Sequence, residues 1–134
     1  MGILSCSRNR LTKLDVSGCP ALYMLYCDDN KLTKLDVSKN PKMYCLECAD
    51  NRLTSLKLGR QKNLIDLSCY LNKLKKLDIV NCPNLKALVN GSEKPYPDNL
   101  DRVGWYDNSY QPEWGLHIDA STAVTAGRKV LYKR

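Results

Sequence analysis

Four cysteines and four asparagines recur at intervals of 21 residues in the first part of the chain. Only seven of the 134 residues are cysteines, so three more in register with the first have a chance of about one in ten thousand. Such a period predicts stacked repeats. The residues in register are Cys6, Cys27, Cys48, Cys69, Asn9, Asn30, Asn51 and Asn72.

Each 21-residue unit contains two similar halves. The first half reads Leu-x-x-Leu-x-Cys-x-x-Asn-x-Leu over residues 22–32, and the second reads Leu-x-x-Leu-x-Val-x-x-Asn-Pro over residues 32–41. Apolar residues at every second position are typical of β-strands, whereas Asn and Asn-Pro favour turns. The unit is therefore predicted to be strand, corner, strand, corner.

Equivalent positions of successive units form apolar columns, which stacking would bury as one continuous core. One predicted inward column consists of Leu4, Leu25, Leu46, Leu67 and Leu88, and the next continues the four cysteines to Asn90. A further column consists of Leu22, Met43, Leu64 and Leu85. The asparagines follow the strands at a corner, where their amides can hydrogen-bond to the backbone of adjacent coils. We assign these half-units, which keep cysteine and asparagine, to the principal sheet.

The Leu-x-x-Leu-x-(Leu/Cys)-x-x-Asn-x-Leu signature resembles the leucine-rich-repeat family over about residues 3–90. Together with Leu-Thr-Lys-Leu-Asp-Val-Ser, it is similar to the repeats of surface proteins from Bacteroidetes. The resemblance implies a right-handed solenoid of about five to six coils, with a parallel β-sheet on the concave side and short strands opposite. It also implies a bacterial protein that is secreted or lies at the cell surface, where it binds proteins or mediates adhesion.

The chain is predicted to be a single domain, with regular coils over 1–90 and a degenerate coil and C-terminal β cap over 91–134. Leu100 to Asn108 restates a half-unit, Leu116-x-Ile118 restates a strand, and Val130-Leu131-Tyr132 is predicted to be a final edge strand. The repeat begins within the first few residues. We therefore interpret the chain as a fragment of a longer protein, whose uncapped N-terminal edge could self-associate.

Composition argues against several classes of function. The net charge of +7 is spread along the repeats, so we expect no nucleic-acid partner. The sequence contains no run of 18 apolar residues, so no membrane span is predicted. The cysteines in register occupy apolar strand positions and are predicted to be reduced thiols that act as small core residues.

No constellation in the sequence indicates catalysis, a cofactor or a metal. The single histidine, His117, is expected to face solvent on the last strand. Asp28, Asp29, Glu47 and Asp50 could approach one another as oxygen ligands of Ca²⁺, but Asp29 and Asp50 precede the turning asparagines, where a local hydrogen bond to the backbone is expected instead. Cys45-x-x-Cys48 is expected to divide between the two faces of a strand, so no zinc site is predicted.

The outward positions of the principal sheet combine tyrosine, methionine and carboxylates, a mixture that suits a protein interface. We predict a non-enzymatic module that binds a protein or cell-surface ligand there. The alternatives are a face without a partner and a structural spacer or stalk that supports another domain. The predicted binding residues are Tyr23, Met24, Tyr26, Asp28, Tyr44, Glu47, Asp66 and Tyr70.

Overall fold

The structure, a computed structural model, describes residues 2–89, 103–106, 114–119, 122–125 and 130–132. Short β-strands dominate these ranges. The first seven strands are β1 (Ile3–Ser5), β2 (Met24–Tyr26), β3 (Lys34–Asp36), β4 (Cys45–Glu47), β5 (Ser55–Lys57), β6 (Asp66–Ser68) and β7 (Lys76–Asp78). Helix α1 (Pro83–Val89) follows, and then β8 (Val103–Tyr106), β9 (Trp114–His117), β10 (Ala123–Thr125) and β11 (Val130–Tyr132).

Apart from β11, which is antiparallel to β10, the strands stack in parallel as a β-solenoid of about three turns with almost no helix. The larger sheet has six strands in the order β1-β2-β4-β6-β9-β8, so the assignment of the cysteine–asparagine half-units to the principal sheet is confirmed. Leu25 of β2 pairs with Leu4 on one side and with Leu46 on the other, and Leu46 pairs in turn with Leu67. The other half-units contribute β3, β5 and β7 to two smaller sheets, β3-β5 and β11-β10-β7, and these strands are three residues long, like β2, β4 and β6 of the principal sheet.

The inward columns form one continuous core. Leu25, Leu46 and Leu67 are completely buried, and the cysteines of the next column pack in the same cluster. All seven cysteines are free, and burial raises the pKa of the Cys27 and Cys69 thiols well above the ordinary value. These neutral side chains behave as small apolar residues, as the sequence predicts.

The asparagines at the first corner connect adjacent coils. The Asn51 side-chain amide donates to the carbonyls of Cys27 at 3.0 Å, Cys48 at 3.2 Å and Ala49 at 3.2 Å. Its Oδ1 accepts the Leu32 backbone N–H at 3.0 Å. Asn30 and Asn72 repeat this arrangement one coil earlier and one coil later. One side chain per coil thus satisfies backbone groups that no strand pairing reaches.

The residue before each of these asparagines has a left-handed backbone. The φ angles are 57° at Arg8, 53° at Asp29, 50° at Asp50 and 52° at Leu71. Aspartate adopts this region more readily than leucine, because its short polar side chain can hydrogen-bond locally. Leu71 is also 48% exposed, so little packing offsets the strain.

We expect Leu71→Asn to raise the free energy of unfolding by about 0.5–1 kcal/mol, because asparagine tolerates a positive φ. Chemical denaturation measures the change. The matched control is Arg52→Asn, at an exposed position without a positive φ, which should bring no gain. Equal effects of the two substitutions would contradict the strain explanation.

The predicted fifth strand of the principal sheet around Leu88 is wrong, because Pro83–Val89 form a helix. Proline is favoured at the first helical position, and the Lys86 N–H donates to the Cys82 carbonyl at 2.9 Å. Leu85 still occupies its predicted column and is completely buried. The next strand of the sheet is instead β9, in which Leu116 pairs with Leu67.

The predicted strands near Val103, Leu116 and Val130 are present as β8, β9 and β11. β11 forms the edge of its three-stranded sheet, as expected, and β10 joins it to β7. Trp105 and Trp114 are described only as strand positions. Flanking residues 128, 129, 133 and 134, and residues 90–102, lie outside the described ranges.

Asp119 closes the first corner of the stack. In earlier coils the N–H groups of this corner donate to carbonyls of the following coil, for example from Asn51 to Leu71 at 3.2 Å. The last coil uses the Asp119 carboxylate instead, which accepts the N–H of Leu71 at 2.9 Å and of Asn72 at 3.1 Å. At the other end, β1 is an edge strand and Ile3 is 50% exposed.

Candidate functional site

The outward face of the principal sheet is built by the alternation of short parallel strands. Because side chains of a strand point alternately to opposite faces, the residues flanking each buried leucine face outward together. Tyr26, Glu47 and Ser68 form one row of this face by pairing across β2, β4 and β6. Met24, Cys45 and Asp66 form the parallel row, two residues earlier on the same strands.

A groove of about 630 Å³ runs across this face and its adjoining corner. We call it the tyrosine–acid groove. Its lining is polar and rich in carboxylates and hydroxyls, with aromatic rings among them. The lining residues are Ser5, Ser7, Arg8, Tyr26, Asp28, Asp29, Glu47, Ala49, Asp50, Ser68, Tyr70 and Leu71.

The structure brings half of the predicted binding residues together. Tyr26, Asp28, Glu47 and Tyr70 line the groove, whereas Tyr23, Met24, Tyr44 and Asp66 are not part of its lining.

Those four residues lie around the groove. The Met24 sulfur accepts a hydrogen bond from the Tyr26 hydroxyl at 3.5 Å, and Asp66 is buried. Tyr23 is 40% exposed, and its ring lies over Gly2. Tyr44 is half-buried.

Asp28 is held by groups of the coils on either side, which follow β1 and β4. Its Oδ2 accepts the Ser7 hydroxyl at 3.3 Å, and its Oδ1 accepts the Ala49 N–H at 3.1 Å. Burial raises the pKa of this carboxyl, while these hydrogen bonds act in the opposite direction. The Asp28 carboxylate is therefore a fixed hydrogen-bond acceptor, and its hydrogen bonds offset only part of the cost of removing it from water.

Glu47 titrates near neutral pH. Burial raises its pKa from the ordinary 4.5 to about 7, and the charges of Asp28 and Asp66 and a hydrogen bond with Asp28 add to the effect. At pH 7 the Glu47 carboxyl is thus divided between its protonated and ionised forms. Two neighbouring carboxyl groups in a partly dry groove favour sharing a proton over carrying two charges.

Glu47 should make the protein less stable as pH rises. A carboxyl whose pKa is higher in the folded than in the unfolded state makes its full contribution to the stability of the fold below pH 4.5. This contribution is lost as pH rises through about 7. We expect Glu47→Gln to equal the wild type at pH 4.5 and to exceed its free energy of unfolding at pH 8. The expected difference is on the order of 1 kcal/mol after discounting for solvent screening. Urea titrations at several pH values measure it.

Asp36→Asn is the control for the sign of this pH effect. A hydrogen bond from Ser38 lowers the pKa of the Asp36 carboxyl, so this variant should lose stability at neutral pH instead. A Glu47→Gln difference that does not change between pH 4.5 and 8 would contradict the raised pKa.

A second polar cluster borders the groove. The Cys45 thiol lies 3.5 Å from Asp66 Oδ2, and one ligand atom from each of Cys45, Glu47 and Asp66 lies within 4.8 Å of the others. A thiolate and two carboxylates could hold a divalent ion such as Zn²⁺. However, burial and the charges of Asp66 and Glu47 raise the pKa of the thiol, so an ion would first have to displace its proton. Cys48, by contrast, packs in the core.

His117 is not on the last strand, because β9 lies between β6 and β8. The register pairs His117 with Ser68, which places it in the same row as Glu47 and Tyr26. The sequence prediction missed this position because it followed the 21-residue period to residue 89 rather than to β9.

The sequence also left the serines and the corner residues out of the predicted binding set. Ser5, Ser7 and Ser68 line the groove because they occupy outward positions of β1 and β6 or follow them. Their alternation with inward leucines indicates from the sequence that these serines face outward. Arg8 and Leu71 line it because both stand at the left-handed corner, a backbone feature that the sequence pattern does not show.

The fold and the groove together define a parallel β-solenoid with a tyrosine- and carboxylate-lined face. In the described part of the chain, no helix has the length and apolar character needed to cross a membrane. Comparisons with family models, with curated proteins and with solved structures find no match for the chain.

Proposed function

We propose that this protein is a leucine-rich-repeat solenoid that serves as a non-enzymatic recognition module, with the tyrosine–acid groove as its binding face. The 21-residue period and the buried leucine columns support the leucine-rich-repeat type. By the sequence resemblance, the partner is a protein or a cell-surface ligand, and the module is bacterial and secreted or displayed at the surface.

One observation carries this proposal: the groove keeps carboxylates where they cost stability. Asp28 and Glu47 are partly buried beside each other, and both carboxyl pKa values are raised. A polar or apolar residue of similar size would relieve that cost. Groups that are unfavourable for folding are often found where a protein binds or reacts, whereas a pure spacer has no use for them.

Tyr26 and Tyr70 add the second property of a recognition face. Both line the groove, and Glu47 of β4 lies between β2, which contains Tyr26, and β6, which Tyr70 follows. Tyrosine is enriched at protein interfaces because it offers a large rigid surface and a hydroxyl at low entropic cost. The short strands hold these rings on a regular backbone, so little order has to be gained on binding.

The test is a triple variant of the groove, Tyr26→Ser, Glu47→Gln and Tyr70→Ser. Immobilised protein is exposed to surface-protein and surface-glycan fractions from candidate host cells, and bound material is quantified. We expect the triple variant to lose most of the capture seen with the wild type. The matched control changes three exposed lysines outside the groove: Lys13→Ser, Lys34→Ser and Lys76→Ser.

The control variant should retain capture, and circular dichroism should show that both variants fold. Capture that survives the groove substitutions, or that falls equally in both variants, would contradict the assignment of the binding face. Absence of capture by the wild type across protein and glycan fractions would favour the spacer function instead.

A further inference from the structure

The tyrosine–acid groove is an exception to the charge of the chain. The protein carries a formal net charge of +7, yet the groove is lined by four carboxylates and one arginine. Among the described residues, no lysine or arginine nitrogen lies within 4.0 Å of a carboxylate oxygen of Asp28 or Glu47. The ion pair that the structure shows, Lys57 with Asp36 at 3.8 Å, belongs to the β3–β5 sheet.

The carboxylates of Asp28 and Glu47 therefore carry negative charge that no described lysine or arginine pairs with, in a groove partly shielded from water. Asp28 and Glu47 face each other, and the neighbouring Tyr26 and Cys45 have raised pKa values and stay neutral. Asp29 and Asp50 lie at the corner, where Arg8 is the cationic group. Charges of one sign lining a cleft raise the local concentration of ligands of the opposite sign.

The paired carboxylates favour a planar cation over a point charge. A guanidinium group carries several N–H donors in a fixed plane and can bond to two acceptors at once, whereas an ammonium group presents one compact charge. Guanidinium groups also stack on aromatic rings, which Tyr26 and Tyr70 supply on this face. Ser5, Ser7 and Ser68 provide hydroxyls for the backbone of an extended segment.

Resting on the recognition function proposed above, we propose that the tyrosine–acid groove binds an arginine side chain presented by an extended segment of a protein partner. The carboxylates of Asp28 and Glu47 receive the guanidinium group, and the tyrosine rings flank it. Ionisation of Glu47 is coupled to binding, because a cation stabilises the charged carboxylate and displaces its proton. Binding is therefore expected to tighten as pH rises.

The probe is the capped pentapeptide Gly-Ser-Arg-Ser-Gly, titrated into ¹⁵N-labelled protein and followed by two-dimensional NMR. The comparison peptide carries citrulline, which has the shape of arginine without its charge. We expect the arginine peptide to shift the amides of groove residues, including Ala49, and the citrulline peptide to bind about tenfold more weakly or not at all. Affinity should rise about tenfold from pH 5.5 to pH 8.

Three variants complete the test. Glu47→Gln and Asp28→Asn should each weaken the arginine peptide about tenfold, while Asp36→Asn, outside the groove, should leave it unchanged. Ser68→Lys places a cation in the same row as Glu47 and should block the peptide even if the charge-removing variants fold poorly. Equal binding of the citrulline peptide, or full binding by Ser68→Lys, would overturn the proposal.

The outcomes separate this proposal from the general recognition function. If the groove variants lose capture of surface material but the arginine peptide neither binds nor competes, only the arginine specificity fails. If capture does not depend on the groove at all, the recognition function fails, whatever the peptide does.

Discussion

Replacing Asn51 with alanine lowers the free energy of unfolding by about 3–5 kcal/mol, the largest single-residue effect that we expect in this protein. The substitution removes an amide that bonds to backbone groups of two adjacent coils. The Leu32 N–H then loses its partner in the interior, while the carbonyls of Cys27, Cys48 and Ala49 each lose one donor and keep another, from Asn30, Asn72 and Asp29. An unsatisfied buried N–H costs about 1–3 kcal/mol, each further lost hydrogen bond about 0.5–1.5 kcal/mol, and a cavity is left as well. Denaturant unfolding followed by circular dichroism measures the loss.

Asn9→Ala is the matched control for this prediction. Asn9 has the same place in the repeat but is exposed, and its amide donates only to the carbonyls of Cys6 and Ser7 in its own coil. We expect a loss below about 1 kcal/mol, because water can replace these bonds. Similar losses at Asn9 and Asn51 would show that bonding between coils is not the source of the effect.

Replacing Gly59 with alanine should cost about 2–4 kcal/mol. Gly59 has a φ of +69°, and a Cβ there would lie 2.8 Å from the Ser38 Cβ and 2.9 Å from its Cα. The backbone of the neighbouring coil would have to move, in addition to the strain of a left-handed alanine. The melting temperature and denaturant midpoint should both fall.

The sequence of this coil explains why a glycine is needed. In the other coils, an aspartate carboxylate accepts the N–H two residues later, as Asp36 does from Ser38 at 2.9 Å. Lys57 replaces this aspartate, so the turn loses that bond and is made with a left-handed glycine. Gly18→Ala is the control, because nothing lies within 4 Å of its added Cβ. It should be neutral or slightly stabilising, and a comparable loss at both glycines would contradict the steric explanation.

The sequence predicted the solenoid because a strict period determines which residues are equivalent. The register between Leu25 and Leu46 follows directly from the 21-residue spacing. The prediction failed at Pro83–Val89, where the leucine spacing continues but proline and good helix formers favour a helix. Local helix propensity decided the structure of this segment, because either a strand or a helix could place Leu85 in its buried column.

The candidate site was only partly predictable. Alternation places Tyr26 and Glu47 on one outward face, and the structure shows them paired across β2 and β4. The raised pKa of Glu47 could not be inferred, because it depends on how deeply neighbouring side chains bury the carboxyl. The strand that contains His117 was predicted, but its pairing with β6 could not be inferred, since the chain reaches β9 only after leaving the repeat.

The carboxylate of Asp119 gives the solenoid a direction. At the first corner, the N–H groups of the left-handed residue and of the asparagine after it donate to carbonyls of the following coil, so these two donors need acceptors wherever the series stops. A single side chain that supplies two acceptors terminates that series. The way the stack ends therefore does not depend on how many repeats precede the end. Whole units of 21 residues could be gained or lost ahead of Asn72 by duplication or deletion without redesigning the end of the molecule.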